Sequence, residues 1–271
     1  MIDRNVLVTG GSQGIGRAVA LELAAQGARL TLVARGAEAL EQTLAELPGK
    51  GHQAHALDVA EPDGWERLMS GLAGPLHGVV SAAGVLGPIG RIDQIDPAEF
   101  SQALAVNLTG TVLALRHTLA RLEQGSGRFV AFSGGGATGP LARYDAYALS
   151  KVGVVRLVEN VAATTTVEIN AVAPGFVATR MHQGTLAAGP DQAGADYYAR
   201  TARDVERGGV SPALAAELCA FLLSDAAAGI SGRLISAQWD PWREPEFQER
   251  LRSDPALGRL RRIDGQFFAG L

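Results

Sequence analysis

A tyrosine and a lysine four positions apart are the side chains in this sequence best suited to moving a proton. Tyr147 and Lys151 occur in the segment Tyr-Ala-Leu-Ser-Lys, and Lys151 is one of only two lysines in the chain. On a helix, a spacing of four places both side chains on one face. An ammonium stabilises a neighbouring phenolate, which lowers the tyrosine pKa from its usual value of about 10. The pair could then exchange protons near neutral pH, although the same spacing also occurs on solvated helix surfaces.

A glycine-rich turn near the start of the chain is a second candidate site. The apolar segment 4–9 is typical of a buried strand, and the Ala/Leu-rich segment after Gly16 is typical of a helix. Between them, Gly10, Gly14 and Gly16 follow the pattern G-x-x-x-G-x-G. Glycines at such a joint let backbone N–H groups approach a diphosphate at a helix N-terminus. We interpret the turn as phosphate-binding; the alternative is a turn that only allows close helix–strand packing.

Strand-like and helix-like segments alternate along the chain and would position both sites. Strands are predicted at 4–9, 28–34, 52–57, 76–81, 127–133, 166–172 and 233–238. Helices are predicted at 14–26, 36–47, 62–73, 97–123, 144–163 and 212–224. This βα repeat predicts an α/β fold with a doubly wound, Rossmann-like parallel sheet of about seven strands and helices on both faces. Ligands of such sheets bind at the carboxyl ends of the strands.

Composition narrows the class of protein. The 271 residues carry a formal net charge of −4, so neither nucleic acid nor an anionic membrane is an expected partner. No segment resembles a signal peptide or approaches about 18 consecutive apolar residues, and a cytoplasmic protein is expected. Cys219 is the only cysteine, and the five histidines show no metal-binding pairing. Neither an intrachain disulfide nor a metal site is therefore predicted.

Six motifs in order resemble those of the short-chain dehydrogenase/reductase family, over roughly residues 3–240. They are Thr9 to Gly16, Asp58-Val59, Ser81 to Gly84, Val106 to Gly110, Tyr147 to Lys151, and Pro174 to Thr179. The resemblance implies an oxidoreductase that transfers a hydride between a nicotinamide cofactor and the carbonyl or secondary alcohol of a small molecule. It implies Tyr147 as general acid/base, Lys151 as the residue that lowers its pKa and binds the nicotinamide ribose, and Asn107 as the holder of a water.

The resemblance also implies a set of cofactor-binding residues. They are Gly10, Ser12, Gln13, Gly14, Ile15, Gly16, Arg35, Asp58, Val59, Ala82, Ala83, Gly84, Tyr147, Lys151, Pro174, Gly175, Val177 and Thr179. Asp58 and Val59 would contact the adenine, and Thr179 the nicotinamide carboxamide. Asp58 as a simple turn residue is the alternative.

The end of the second predicted strand bears on the choice of cofactor. An acid there would bind the ribose diol of NAD and repel a 2′-phosphate, but the sequence has Arg35. Its planar, permanently charged guanidinium suits a phosphate. We therefore expect NADP(H) rather than NAD(H). Two observations oppose this: Gln13 is uncharged where many NADP-using relatives have a basic residue, and Arg35 could be only an exposed loop residue.

The sequence departs from the family at its catalytic serine. Counting back from Tyr147, and following the strand register from Gly127, both place that serine at Gly134. Ser133 lies one residue earlier, and a shift of one residue turns a side chain to the opposite face of a strand. A bulge in the glycine-rich run could return its hydroxyl to the site, so Ser133 is retained as a candidate catalytic residue, with Thr138 as a more distant one. Without either, carbonyl polarisation would depend on Tyr147 and backbone groups.

The chain is predicted to divide into a domain with a lid and a C-terminal tail. Residues 1–240 are predicted to form one cofactor-binding and catalytic domain, with a substrate lid at about 180–210; a pair of surface helices is the alternative. Residues 241–271 form a tail. Its Trp242, together with the nearby Trp239 and the terminal Phe267-Phe268, favours docking onto the lid or a neighbouring subunit.

The resemblance implies a homodimer or homotetramer formed through the predicted helices 97–123 and 144–163. Two other functions remain open on the same fold. One is an epimerase or dehydratase that uses Tyr147 with a tightly held cofactor. The other is a catalytically weak NADP(H)-binding sensor, which the missing serine at position 134 favours.

Overall fold

The computed structural model describes residues 1–262, which contain one sheet of seven parallel strands in the order β3-β2-β1-β4-β5-β6-β7. The strands are β1 Asn5–Thr9, β2 Arg29–Ala34, β3 Gln53–Ala56, β4 Gly78–Ser81, β5 Arg128–Phe132, β6 Glu168–Ala173 and β7 Arg233–Ser236. This confirms the predicted doubly wound fold, and each strand overlaps its predicted segment. The strand order reverses between β1 and β4, which opens a crevice at their carboxyl ends.

Helices cover both faces of the sheet. They are α1 Gly14–Ala25, α2 Ala37–Glu46, α3 Pro62–Gly71, α4 Pro97–Leu104, α5 Gly110–Gln124, α6 Asp145–Ala162, α7 Arg180–Ala193, α8 Ala195–Glu206, α9 Pro212–Leu222 and α10 Pro245–Ser253. Alternate residues of β1 point to opposite faces: Val6 and Val8 pack with α1 and α9, and Leu7 packs with α3, α5 and α6. The two resulting cores hold the strand ends in fixed positions.

The helix predicted over 97–123 is interrupted. Residues Ala105–Thr109 form a π-helical turn between α4 and α5, in which the N–H of Gly110 bonds the carbonyl oxygen of Ala105. Propensity alone does not reveal such a turn, because it differs from an α-helix only in its hydrogen-bond spacing. A π-helical turn widens the helix and is frequent at functional sites. Here it contains Asn107.

The segment predicted as a lid forms two helices, α7 and α8. Helix α7 is broken at Gly189, whose φ of 75° lies in the left-handed region, and Pro190 follows directly. An antiparallel bridge between Val177 and Gly209 joins the two ends of the segment. The segment is therefore anchored at its base beside the end of β6.

The described part of the tail, residues 241–262, lies on the body of its own chain. Trp242 is 5% exposed and its ring centroid lies 5.8 Å from that of Phe221 on α9. Farther along, the carbonyl oxygen of Gly258 accepts a hydrogen bond of 2.7 Å from the N–H of Leu234 on β7. These contacts are made with α9 and with the edge strand β7, and docking on a neighbouring subunit stays a prediction. The predicted contribution of Phe267-Phe268 lies outside the described residues.

Candidate active site

The predicted phosphate-binding turn joins β1 to α1 and closely approaches the end of β4. Gly10 has a φ of 69°, and an ideal Cβ there would lie 2.8 Å from the backbone nitrogen of Ala83. A Cβ at Gly16 would overlap the carbonyl oxygen of Gly10. Glycine alone satisfies both positions. Within residues 1–262 no side chain caps the start of α1 at Gln13, so its first-turn N–H groups are available to an anion.

A cleft of about 980 Å³ extends from this turn along the carboxyl ends of β1, β2 and β4. Most of the predicted cofactor-binding residues line it: Gly10, Ser12, Gln13, Gly14, Ile15, Gly16, Arg35, Asp58, Val59, Ala82, Ala83, Gly84, Val177 and Thr179. Among the described residues, Pro174, Gly175, Tyr147 and Lys151 do not form part of this lining. The cleft therefore brings together segments that are far apart in sequence.

Other lining residues were not among the cofactor-binding residues predicted from the sequence. They are Ala34, Gly36, Ala39, Gln42, Leu57, Val85, Leu86, Val106, Ala178, Arg180, Met181, Gly184, Gly208, Val210 and Pro212. Ala39 and Gln42 lie three residues apart on α2, so helical periodicity starting from Arg35 could have identified them. The residues of the lid segment gave no such signal, because their position depends on how α7 and α8 fold.

Two predicted residues mark the end of the cleft formed by β2 and β3. Arg35 is exposed directly after β2. Asp58 lines the cleft, and its carboxylate also accepts a 3.0 Å hydrogen bond from the N–H of Ala60. Asp58 can therefore stabilise the turn and also face the cleft, because its carboxylate has a second oxygen.

Tyr147 and Lys151 lie one turn apart on α6. The Nζ atom of Lys151 is 5.5 Å from the Tyr147 ring centroid and donates a 3.0 Å hydrogen bond to the carbonyl oxygen of Phe132. Lys151 is 5% exposed, and this burial lowers its pKa to about 8. Burial, with a smaller effect from Tyr197, raises the pKa of Tyr147. This direction is opposite to the sequence-based expectation, because desolvation of the phenolate outweighs the attraction of the ammonium.

Asn107 is a fixed structural link beside this pair. Its Oδ1 accepts a 2.8 Å hydrogen bond from the N–H of Val85, and its Nδ2 donates to the Val85 carbonyl oxygen and to Ser150 Oγ. An ideal Cβ at Gly84 would lie 3.3 Å from Asn107 Oδ1 and 3.7 Å from Lys151 Nζ. Gly84 lines the cleft. The amide therefore fixes the segment after β4 against α6 at the point where the cleft meets Lys151.

The structure separates Ser133 and Gly134. Ser133 is 2% exposed, and its hydroxyl donates a 3.2 Å hydrogen bond to the carbonyl oxygen of Lys151. Position 134 instead faces Tyr147: an ideal Cβ at Gly134 would lie 2.6 Å from the hydroxyl oxygen of Tyr147. The side chain at position 134 would therefore point at Tyr147, but the sequence provides none there. Thr138, the more distant candidate, is exposed.

The segment after β6 turns back towards the glycine-rich turn. Gly175 has a φ of 82°, and an ideal Cβ there would lie 2.6 Å from Gln238 Oε1. This tight turn follows Pro174 and directs the chain so that Val177 and Thr179 line the cleft. A Cβ at Gly14 would lie 3.4 Å from Thr179 Cγ2. Pro174 and Gly175 thus support the cleft from outside its lining.

Helices α7 and α8 contact a second tyrosine at the start of α6. Tyr144 is fully buried one turn before Tyr147, and its hydroxyl donates a 3.1 Å hydrogen bond to Thr185 on α7. Its ring centroid lies 4.9 Å from that of Tyr197 on α8. Burial raises the pKa of Tyr197. Helices α7 and α8 are therefore in contact with the start of the helix that carries the candidate acid/base.

Two other types of structural feature are absent from the described part of the chain. Between residues 1 and 262, no cluster of three or more His, Cys, Asp or Glu side chains is arranged to hold a metal ion. Over the same residues, every helix is too short or too polar to cross a membrane.

Known proteins resemble this chain over most of its length. Residues 10–238 match a family described as enoyl-(acyl carrier protein) reductase. Levodione reductase of Leifsonia aquatica is 32% identical over 248 residues, covering 86% of this chain and 92% of that protein. Cis-4-hydroxycyclohexanecarboxylate dehydrogenase of Sinomonas cyclohexanicum is 33% identical over 247 residues, covering 86% of this chain and 94% of that protein.

Solved structures show the same similarity. The crystal structure of levodione reductase gives a TM-score of 0.80 at 31% identity, covering 90% of this chain and 98% of that chain. A variant of actinorhodin polyketide ketoreductase with NADPH gives a TM-score of 0.78 at 29% identity, covering 87% of this chain and 97% of that chain. The sequence comparison and the structural comparison therefore both include levodione reductase among the proteins similar to this chain.

Proposed function

Because the chain belongs to the short-chain dehydrogenase/reductase family of oxidoreductases, we propose that it transfers a hydride between NADP(H) and a small carbonyl or secondary alcohol, with Tyr147 as general acid/base. The position of Lys151, one turn from Tyr147 and close to the cleft, carries this proposal. Gly84 lines the cleft, and its Cβ position is 3.7 Å from Lys151 Nζ. A relative is named for a hydroxycyclohexane carboxylate, so cyclic alcohols and ketones belong in the substrate panel.

The residues of the cleft fit a dinucleotide. The glycine turn and the uncapped start of α1 would hold the diphosphate. Val177 and Thr179 would hold the nicotinamide end, and Arg35 the adenosine 2′-phosphate. When bound, the cofactor supplies or accepts the hydride.

Side chains of the protein supply the proton that the substrate oxygen receives during reduction. Since its pKa is raised by burial, Tyr147 keeps its proton at neutral pH and can donate it to a substrate oxygen during reduction. Lys151, with a pKa of about 8, is mostly an ammonium at pH 7. Its positive charge opposes the build-up of negative charge on Tyr147 after donation. Asn107 and the Phe132 carbonyl oxygen fix these groups in place.

Turnover tests this function directly. We expect NADPH oxidation with at least one member of a panel of cyclic ketones, diketones, keto sugars and β-ketoacyl thioesters. The variant Tyr147→Phe should lose roughly a hundredfold or more in kcat, as removal of a general acid predicts. Tyr198→Phe, which removes a phenol hydroxyl from α8, is the matched control and should retain activity. Equal activity of Tyr147→Phe and Tyr198→Phe would refute the assigned role.

The cofactor preference has its own test. Arg35→Ala should raise the KM for NADPH by about tenfold, the effect of losing one charge-assisted hydrogen bond, and leave the KM for NADH almost unchanged. Equal changes for both cofactors would show that Arg35 does not recognise the 2′-phosphate.

Gly134 favours a second candidate function, that of a catalytically weak NADP(H) sensor. No side chain at this position can share the substrate oxygen with Tyr147. A sensor would bind NADPH tightly in calorimetry and give no turnover with any of the panel. Turnover that depends on Tyr147 would exclude it.

We also propose that the chain forms a homodimer or homotetramer through α5 and α6. Each of these helices presents an exposed apolar side chain: Val112 is 38% exposed and Leu149 is 51% exposed. Burial of such residues is the main favourable contribution to association. Leu149→Glu should shift the protein to a smaller species in light scattering, and an unchanged mass would contradict this interface.

A further inference from the structure

Two residues directly before α6, Arg143 and Tyr144, connect this helix to α7 and α8. Arg143 has a φ of 73°, in the left-handed region. A bulky residue is rarely found there, because its Cβ comes too close to a carbonyl oxygen. The Arg143 carbonyl oxygen accepts a 2.9 Å hydrogen bond from the N–H of Gly90, which helps to hold this conformation. A strained residue that its surroundings hold in place indicates that the direction of its side chain is important.

The guanidinium of Arg143 lies against the end of α7. It donates a hydrogen bond to the carbonyl oxygen of Asp191 and another, of 3.2 Å, to that of Gln192. Both oxygens belong to the last turn of α7, where carbonyl groups have no partner within the helix and an arginine can supply one. An ideal Cβ at Gly194 would lie 3.5 Å from Arg143 Cδ. Arg143 therefore caps α7 from outside the helix and packs over the turn that leads into α8.

Tyr144 makes a second connection, within the core. Its hydroxyl donates a 3.1 Å hydrogen bond to Oγ1 of Thr185 on α7, and both side chains are buried. Its ring packs against that of Tyr197 on α8. Burial raises the pKa of Tyr144 to about 12, so the phenol keeps its proton and donates at neutral pH. An unpaired hydroxyl would be unfavourable in this buried environment, and the bond to Thr185 therefore favours one position of α7 relative to α6.

Tyr147 lies on the helical turn that these contacts hold. Tyr144 is the N-cap residue of α6, and Tyr147 is the third residue of the helix. The Tyr144 carbonyl oxygen accepts a 2.9 Å hydrogen bond from the N–H of Ala148, which closes the first turn. The ends of helices fray easily, because their outermost backbone groups lack helical partners. Contacts that fix Tyr144 therefore also limit the movement of Tyr147.

We propose that Arg143 and Tyr144 are positioning residues, which connect α7 and α8 to the first turn of α6 and so hold the Tyr147 hydroxyl in place for proton transfer. The inference rests on the proposed function for the role of Tyr147. Neither residue lines the cofactor cleft, so both act through Tyr147 rather than through the cofactor. In this arrangement the acid/base is fixed only while α7 and α8 keep their contacts with the two residues.

Steady-state kinetics with a double-mutant cycle test this role. The variants are Tyr144→Phe, which removes only the hydroxyl, and Arg143→Asn, which removes the guanidinium but retains a residue that adopts the left-handed region readily. Tyr198→Phe and Arg203→Asn, both on α8, are the matched controls. Each positioning variant should lower kcat by roughly tenfold, as a misplacement of about 0.5 Å would cause, without changing the calorimetric Kd of NADPH. In the Tyr147→Phe background, neither substitution should lower kcat further.

Amide hydrogen exchange, followed by mass spectrometry, measures the same connection without turnover. Exchange at residues 145–148 should be roughly fivefold faster in both positioning variants, as the loss of one hydrogen bond predicts. Exchange at residues 154–158, in the middle of α6, should not change.

Wild-type exchange at residues 145–148 in both variants would overturn the inference. A loss of kcat in the Tyr147→Phe background equal to that in the wild type would also overturn it. Faster exchange at these residues in a protein that turns over no ketone of the panel would support the connection between the helices and overturn the proposed function.

Discussion

Replacement of Gly134 by alanine changes the space next to the Tyr147 hydroxyl, the proposed acid/base, and little else. An ideal Cβ at this position would lie 2.6 Å from Tyr147 Oη, closer than a carbon and an oxygen approach without overlap. Gly134 is not one of the glycines with a positive φ, so alanine adds no backbone strain. Relief of the overlap requires the tyrosine hydroxyl or the loop after β5 to move.

The size of the movement sets the expected loss of activity. Lengthening the distance from 2.6 Å to an ordinary contact of 3.4 Å requires a displacement of about 0.8 Å, and a misplacement of 1 Å can cost about a hundredfold in rate. We therefore expect Gly134→Ala to lower kcat by roughly fortyfold. Gly134→Ser introduces the same Cβ and the same displacement, but it also adds a hydroxyl near the substrate oxygen. Its kcat should exceed that of the alanine variant.

Steady-state kinetics with NADPH and the best ketone of the panel would measure both variants. Gly139→Ala is the matched control, because its Cβ position meets nothing within 4 Å among the described residues. NADPH binding by calorimetry should be the same in all three variants, since position 134 does not line the cofactor cleft. A Gly134→Ala enzyme with the kcat of Gly139→Ala would refute the close approach of position 134 to Tyr147.

Three further predictions concern the groups that hold the site and the tail. Lys151 has a pKa of about 8 in the folded protein and 10.5 as its reference value. Between pH 8 and 10.5 the unfolded chain therefore binds more protons than the folded protein. The unfolding free energy of the wild type should rise over this pH range relative to that of Lys151→Met. The expected rise, on the order of 3 kcal/mol, is measured by urea denaturation. Asn107→Ala leaves the Val85 N–H and carbonyl without partners and should cost about 3 kcal/mol. Trp242→Ala should cost about 3–5 kcal/mol, whereas Trp239→Ala, at an exposed residue, should cost far less; thermal unfolding distinguishes them.

The fold was predictable because its elements follow from local patterns. Short apolar runs such as that of β1 can be satisfied only as buried strands, and the segments between them have helical composition. The π-helical turn at Ala105–Thr109 was not predictable in this way. Within this turn the Asn107 side chain is bonded to Val85 and Ser150, which are distant in sequence. A local pattern contains no information about such partners.

The cleft was predictable to the extent that glycine spacing reports backbone geometry. Gly10 and Gly16 occupy positions that no other residue could occupy, so the pattern itself records the close approach. The pKa shifts of the site residues were harder to predict from the sequence. The spacing of Tyr147 and Lys151 suggested mutual stabilisation of charge, but both groups lie in a desolvated environment, and burial is the first cause of each pKa shift. Spacing determines which groups are neighbours, whereas burial depends on everything that packs around them.

Register explains why one glycine matters more here than the serine beside it. On β5 and the residues after it, Ser133 and Gly134 face opposite sides, and each side has a different neighbour: the Lys151 carbonyl oxygen for Ser133 and the Tyr147 hydroxyl for Gly134. A hydroxyl one position away cannot replace a missing one without breaking its own buried hydrogen bond. Thus position 134, which lacks a polarising group, is also the position at which any added side chain would meet the Tyr147 hydroxyl.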